Sequence, residues 1–431
     1  MRRPQSPPNL QVDDATGAAQ RQAATTELSH TLFPEVIPAP LPVAMLDDRQ
    51  RLACLRLIRS ENVGPVTFRE LINHCGGAEA ALAALPELSR KGGRRRPVRI
   101  CPSDVAEAEL EAAVRIGARP LFTIEPGFPW LLAQLEPPPP VIYVRGRVEL
   151  LSRNAVAIVG SRNASAAGMT LARRIASELG AAGLVIVSGL ARGIDGAAHT
   201  AALGSGTVAV LAGGLDHVYP PEHADLHSRI GEEGCLVSDR WPGFEPRGQD
   251  FPRRNAIIAG LSRGVVVIEA AKRSGTLTTA RFARDQNREV MAVPGHPLDP
   301  RAEGTNGLLK QGAGLVTNAS DVLEILAPLL RERRGDVFSR ALAEDTVPAD
   351  VSPMQHRTVA ATEADAGASI LSALGPAPVS VDALAQTTGL PVKQVRIALL
   401  ELALAGRIEQ HGGQLVSLRT NEDREGDATS P

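Results

Sequence analysis

Five short stretches of the 431-residue chain combine small residues with guanidinium, hydroxyl or ring groups in a way that suits an anionic ligand. They are Gly160-Ser161-Arg162, Ser188-Gly189-Leu190-Ala191-Arg192-Gly193-Ile194-Asp195, Gly213-Gly214-Leu215-Asp216, Phe251-Pro252-Arg253-Arg254-Asn255 and Ser274-Gly275-Thr276. Glycine admits a ligand close to the backbone, and N–H groups at a helix start attract anions. The forks of Arg162 and Arg192 would either grip phosphate oxygens or form structural salt bridges. Phe251 with Arg253 and Arg254 could stack a base and hold a phosphate; in the plainer reading the ring is core and the arginines are solvated.

Other chemistries find less support. Gly160 is followed by no further glycine until Gly168, so the G-x-G-x-x-G dinucleotide fingerprint is absent, and no Gly-Lys-Ser/Thr occurs. Asp195 and His199 share a helix face, but nothing completes a metal set; Asp195 is expected to cap the helix or orient Arg192. His217, His223 and His227 are close in sequence on what reads as a loop without ligand geometry. Cys54, Cys75, Cys101 and Cys235 are scattered, as expected of reduced, buried thiols in a cytoplasmic protein. No catalytic residue, cofactor or metal is expected.

The elements that must hold these stretches are short apolar runs alternating with helices. Strands are predicted at 141–144, 155–159, 184–187, 207–211, 235–237, 265–268 and 290–293. Helices are predicted from the loop at 160–168 to about 179, then at 194–203, 254–262 and 276–287. This pattern predicts a doubly wound, mainly parallel α/β sheet, whose ligands sit at the carboxyl ends of strands. Each of the five stretches follows a strand or opens a helix.

Flanking segments read differently. Residues 1–45 lack periodicity and suggest a disordered extension, 331–365 a linker and 419–431 a disordered tail. Within 46–115, Leu52, Leu55 and Ile58 make one helix face, Asn62-Val63-Gly64-Pro65 a turn, and Phe68, Leu71 and Ile72 begin a second helix. This resembles a helix-hairpin-helix or SAM-like unit; a helical packing domain without a ligand fits equally. Residues 366–418 read as three helices and a hairpin joined by His411-Gly412-Gly413, the winged-helix pattern. On its third helix Val392, Val395, Leu399 and Leu402 are expected to face the core, with Lys393, Gln394 and Arg396 outward. So few cations favour an interaction role over duplex binding, which stays open.

Bulk composition limits how any nucleic acid is held. The net charge is −2, aromatics are 3%, and residues 151–330 carry 18 Lys+Arg against 17 Asp+Glu. Binding would rest on individual arginines and a few phosphates rather than on a basic field. Lysine occurs only at 91, 272, 310 and 393, a skew that suits phosphate recognition and also follows from a GC-rich genome. Met1-Arg2-Arg3 is followed by Pro and Gln rather than an apolar core, and no run of about 18 apolar residues exists, so neither a signal peptide nor a membrane span is expected.

Taken together, the motifs resemble the DprA/Smf family of DNA-processing proteins. The resemblance runs from about 153 to 325 and includes Val159-Gly160-Ser161-Arg162, Ser188 to Asp195 with His199, and Gly214-Leu215-Asp216 with Tyr219-Pro220. It continues through Phe251 to Asn255, Glu269-Ala270-Ala271 with Ser274 to Ala280, and Ala292-Val293-Pro294-Gly295 with Gly304-Thr305-Asn306. It implies a Rossmann-like domain at 116–330 that binds single-stranded DNA, forms a homodimer and loads RecA recombinase onto DNA. By motif position it places Gly160, Ser161, Arg162, Gly189, Arg192, Gly193, Arg254, Asn255, Ser274, Gly275 and Thr276 at the DNA, with Phe251 as a stacking contact and Arg247 nearby.

Three positions depart from the family's pattern: Ala256 replaces an arginine after the Arg-Asn pair, His223 an asparagine, and Asp250 a histidine. An arginine lost from a phosphate costs on the order of 1 kcal/mol. The alternative is a nucleotide phosphoribohydrolase of the lysine-decarboxylase-like type, with Glu269 catalytic and Ser274-Gly275-Thr276-Leu277 as its phosphate loop. That loop normally begins Pro-Gly-Gly, whereas this chain has Ala271-Lys272-Arg273.

Overall fold

The computed structural model describes residues 45–331, 363–411 and 414–419. Nearly all of the expected extension, most of the linker, the Gly412-Gly413 turn and nearly all of the tail lie outside the described residues. Four helices come first: α1 (Asp48–Ile58), α2 (Pro65–Cys75), α3 (Ala78–Lys91) and α4 (Ser103–Arg115). Asp47 and Gln50 close a capping box on α1, while α2 starts with Pro65 and ends on left-handed Gly76.

The sheet follows, with β1 (Arg119–Phe122), a short helix α5 (Trp130–Ala133), β2 (Val141–Gly146) and β3 (Ala155–Val159). Then come α6 (Ala166–Ala181), β4 (Val185–Ser188), α7 (Ile194–Ala202), β5 (Thr207–Val210), α8 (Ala224–Glu233) and β6 (Cys235–Ser238). The second half holds α9 (Asp250–Gly260), β7 (Gly264–Val267), α10 (Thr276–Asp285), β8 (Glu289–Ala292), α11 (Glu303–Lys310), β9 (Gly314–Leu315) and α12 (Ala319–Arg331). Among the described residues the strand order is β1-β2-β6-β5-β4-β3-β7-β8-β9. From β6 to β9 all pairs are parallel, and β1 and β2 extend the edge antiparallel.

All five residues of β3 are buried. Ala155, Ala157 and Val159 join one apolar layer with Ile257 and Ile258 of α9 and Ala280 and Ala283 of α10. Val156 and Ile158 join the other with Ile175 and Leu179 of α6 and Val322 and Leu326 of α12. Period-two alternation inside an unbroken apolar strand is what a sheet covered on both faces requires. Strand order reverses at β3, with β4 on one side and β7 on the other, so a ligand crevice is expected beyond these strand ends.

Two local expectations in the sheet domain change. The stretch around His223 and His227, read as a loop, forms a 3-10 turn (Pro221–His223) and α8, with His227, Ile230 and Gly231 buried along one face. Its large apolar residues are too few for the periodicity to show. Helix α9 begins at Asp250 rather than Arg254, because Pro252 falls in its first turn, where the missing N–H has no intrahelical acceptor.

The last described unit has α13 (Glu363–Ala373), β10 (Val379–Ser380), α14 (Val381–Thr388), α15 (Val392–Leu404), β11 (Ile408–His411) and β12 (Leu415–Leu418). Its sheet order β10-β12-β11 and three helices make a winged helix. Val392, expected in the core, is 43% exposed: at the first position of α15 it projects beyond the packed part of the helix.

Candidate nucleic-acid interface

The loops after β3, β4 and β7 meet at the reversal point and hold one another. Thr276 Oγ1 donates to the Gly160 carbonyl at 3.0 Å, joining the β7 loop to the β3 loop. Ile194 N–H donates to the Ser161 carbonyl at 3.3 Å, joining the β4 loop to the same place. Gly193 has φ +77°, and a Cβ there would lie 2.3 Å from the Ser161 carbonyl oxygen. At Gly160 a Cβ would strike Ile194, and at Gly189 the Arg254 guanidinium. These glycines thus let the loops approach each other and Arg254, where the sequence suggested that they admit a ligand.

Beneath the loops lies a buried charged group. Arg254 Nη1 donates to the carbonyls of Gly189 and Val210, the latter at 2.8 Å, and Nε donates to Asn255 Oδ1 at 3.0 Å. The Asp195 carboxylate accepts from Gly189 N–H at 3.2 Å and Ala191 N–H at 3.4 Å. Burial raises its pKa, against the attraction of Arg254. Burial brings Arg254 down to about 10, with Asp195 opposing and Arg162 adding to the fall, so it stays cationic at neutral pH. Asp195 therefore organises the β4 loop and faces Arg254; it does not orient Arg192, whose side chain is 57% exposed and lies 3.7 Å from Glu222.

The two histidines of this layer serve the same loop. His199 accepts from Leu190 N–H at 3.3 Å and donates to Thr207 Oγ1 at 2.7 Å, since Thr207 in turn donates to the Ile186 carbonyl. Burial, followed by the nearby His223 and Arg254, lowers its pKa to about 3, so it is neutral. His223 donates to the Leu190 carbonyl at 3.0 Å, and His227 to the Leu215 carbonyl at 3.0 Å. All three imidazoles hold backbone.

Above this floor opens a narrow pocket lined by Arg162, Gly189, Tyr219, Phe251 and Arg254, with Ala191, Leu211 to Gly213, His217 and Pro246. The Arg162 and Arg254 guanidiniums lie 5.5 and 5.8 Å from the Phe251 ring centroid. Tyr219 meets the same ring edge-on at 5.8 Å. Arg162 is exposed and, among the described residues, forms no ion pair.

Of the residues singled out from sequence, Arg162, Gly189, Phe251 and Arg254 line the pocket, while Gly160, Ser161 and Gly193 support it. Asn255, Ser274, Gly275 and Thr276 form the adjoining rim: Asn255 Nδ2 donates to the Gly275 carbonyl at 3.4 Å, and Ser274 Oγ to Thr276 Oγ1 at 3.0 Å. Arg192 and Arg247 are exposed and lie outside the lining. Sequence reasoning gave no role to His217, Tyr219 or Pro246; the available signal was that Tyr219 is one of only two tyrosines, beside a glycine loop. The Asp250 departure has its own partner, since its buried carboxylate pairs with Arg240 and accepts Arg247 N–H at 2.8 Å.

The start of α6, where a pyrophosphate would sit in a dinucleotide fold, carries an internal anion. Glu269 accepts from Ser165 N–H at 3.0 Å and from Ser165 Oγ at 2.5 Å, and a Cβ on Gly168 would lie 2.5 Å from Glu269 Oε1.

Comparison with known proteins shows the family and its domain layout. The family described as DNA recombination-mediator protein A matches residues 119–327, a DprA-like N-terminal HHH domain matches 48–112, and a DprA winged helix domain matches 354–414. Protein Smf of Escherichia coli (strain K12) is 40% identical over 294 residues, covering 68% of this chain and 75% of Smf. The chain belongs to the DNA recombination-mediator protein A family. The DNA processing protein DprA of Streptococcus pneumoniae is 44% identical over 207 residues, 47% of this chain and 73% of that protein. The X-ray structure of Streptococcus pneumoniae DprA aligns with a TM-score of 0.55 at 32% identity, covering 65% of this chain and 98% of the other. The mainly parallel sheet, HHH domain and winged helix are the layout of the DprA family.

Proposed function

We propose that this DprA family member acts in DNA processing and recombination by binding single-stranded DNA at the Phe251 pocket without catalysis, and that it assists RecA loading as a cytoplasmic homodimer. The observation that carries the binding site is the exposed Arg162 guanidinium over the Phe251 ring at the sheet's reversal point, with the buried Arg254 cation behind it. A base stacks on such a ring while guanidiniums hold the backbone. RecA, the dimer and the absence of catalysis rest on family membership. Among the described residues no helix is long and apolar enough to cross a membrane. Cys54 and Cys235 are free, buried thiols that burial pushes up to about 12, which fits a reducing compartment.

The hydrolase alternative needs Glu269 free to act on a sugar. Its engagement with Ser165 at the α6 start favours the binding reading. Titrating a labelled oligothymidylate across salt tests the proposal: affinity falls with salt along the modest slope of a few phosphates, and Arg162→Ala weakens binding about tenfold. Salt-independent binding, or an Arg162→Ala variant with unchanged affinity, would overturn it. Release of free base from nucleoside monophosphates, lost in Glu269→Gln, would establish the hydrolase instead.

A further inference from the structure

Helix α15 has two apolar stripes. Val395, Leu399 and Leu402 pack inside the winged helix with Ile370, Leu384 and Val416. Leu404 lies about two and a half turns beyond Val395 and so faces the opposite way. It is fully buried and, with Leu400, joins the core cluster formed by α1 to α4. The outer stripe of the third helix is therefore leucine, sealed by the HHH domain.

Polar groups fix the register of this contact. Asn62 Nδ2, in the turn between α1 and α2, donates to the Leu404 carbonyl at 3.0 Å. Gln410 of the wing donates to Glu70 Oε2 at 3.1 Å and accepts from Thr67 Oγ1 at 3.3 Å. Gly92, at the end of α3, runs against the backbone of α15, where a Cβ would lie 2.0 Å from the Glu401 carbonyl oxygen. A winged helix that reads duplex DNA lays its third helix in the major groove, where residues near the helix start meet base edges and the later turns lie between the groove walls. Here the helix start, with Lys393, Gln394 and Arg396, is exposed, but the outer face of the later turns holds Leu400 and Leu404 under the HHH domain and Gln410 of the wing is bonded to α2, so the later turns are closed to a duplex.

We propose that the outer face of α15 is a protein-docking surface whose occupant is the chain's own HHH domain, so that the winged helix does not read duplex DNA and the two terminal domains act as one body. This does not rest on the single-stranded DNA reading, because the contact is formed without the Phe251 pocket.

The test uses the full chain with Gly92→Ala. Residue 92 has an ordinary right-handed backbone, φ −66° and ψ −1°, so alanine is tolerated locally and the clash falls on the contact. Gly307→Ala, where a Cβ meets open space, is the control. Hydrogen exchange of the α15 amides should speed up about tenfold or more in Gly92→Ala and stay unchanged in Gly307→Ala. Duplex affinity should change less than about twofold in Gly92→Ala and in Lys393→Ala/Arg396→Ala, whose substitutions fall on exposed positions, with Arg396 at the edge of the contact beside Glu70. Unchanged exchange in Gly92→Ala would remove the seal, and a tenfold gain in duplex affinity would make α15 a masked DNA reader. If α15 loses its helix in Gly92→Ala, the double variant decides: an unchanged duplex affinity supports the proposal and a tenfold loss overturns it. Loss of single-stranded binding in Arg162→Ala, measured alongside, reports on the other site alone.

Discussion

The Phe251 pocket and the outer face of α15 occupy places where their fold types often hold nucleic acid, and this chain furnishes them in opposite ways. At the sheet's reversal point Arg162, which forms no ion pair among the described residues, stands over a ring at an open pocket, with a buried cation behind it. On α15 the corresponding face is leucine and is covered by the HHH domain. Fold type nominates both places, and the residues at each decide between them.

The strongest way to break this contrast is to remove the floor of the pocket. Arg254→Ala would leave Asp195 buried without its cation and the Gly189 and Val210 carbonyls without their donor. A loss of about 3–5 kcal/mol in unfolding free energy is expected, measured by chemical denaturation, together with loss of single-stranded binding. Phe251→Ala sharpens the contrast with a smaller effect. It should cost about 1–3 kcal/mol in single-stranded affinity and leave α15 hydrogen exchange untouched. If stability falls as much as in Arg254→Ala, the ring is core and stacking is not its role.

The smallest effect is a pH dependence confined to the pocket side. His199 is held neutral with a folded pKa of about 3, below its unfolded value near 6.5. Below pH 6.5 the unfolded chain takes up a proton that the folded chain refuses, so stability declines as pH falls from 6.5 toward 3. From pH 7.5 to 5.5 this amounts to about 1 kcal/mol, read by comparing the wild type with His199→Gln. A wild-type curve parallel to that of the variant would show that His199 is not held neutral.

Much of the sheet was readable because β3 to β8 are short apolar runs whose burial on both faces leaves little ambiguity. Helix α4 escaped because its buried contacts come from Ala106 and Ala113, too small to mark a face. At the site, residue types were legible but not their duties. The glycines at 160, 189 and 193 signalled close approach correctly, yet what approaches is Ile194, Arg254 and the Ser161 carbonyl. Arg254 and Arg192 looked alike as sequence, and only packing separates a buried organiser from a solvated arginine. Tyr219 reaches Phe251 across a gap of 32 positions, which no local periodicity records. The covered face of α15 was equally hidden, since Leu400 and Leu404 are ordinary helix residues until their partners are known.

Glu269 at the start of α6 has a further consequence for selectivity. A free mononucleotide or dinucleotide gains most from a doubly wound sheet by seating its phosphate on that helix end, and here the seat is filled by the chain itself. Ligands that depend on one deep phosphate contact are therefore at a disadvantage, whereas a polymer can gather shallow contacts over several nucleotides. In the proposed binding role, the contact of Glu269 with Ser165 would thus favour chains over monomers at the pocket.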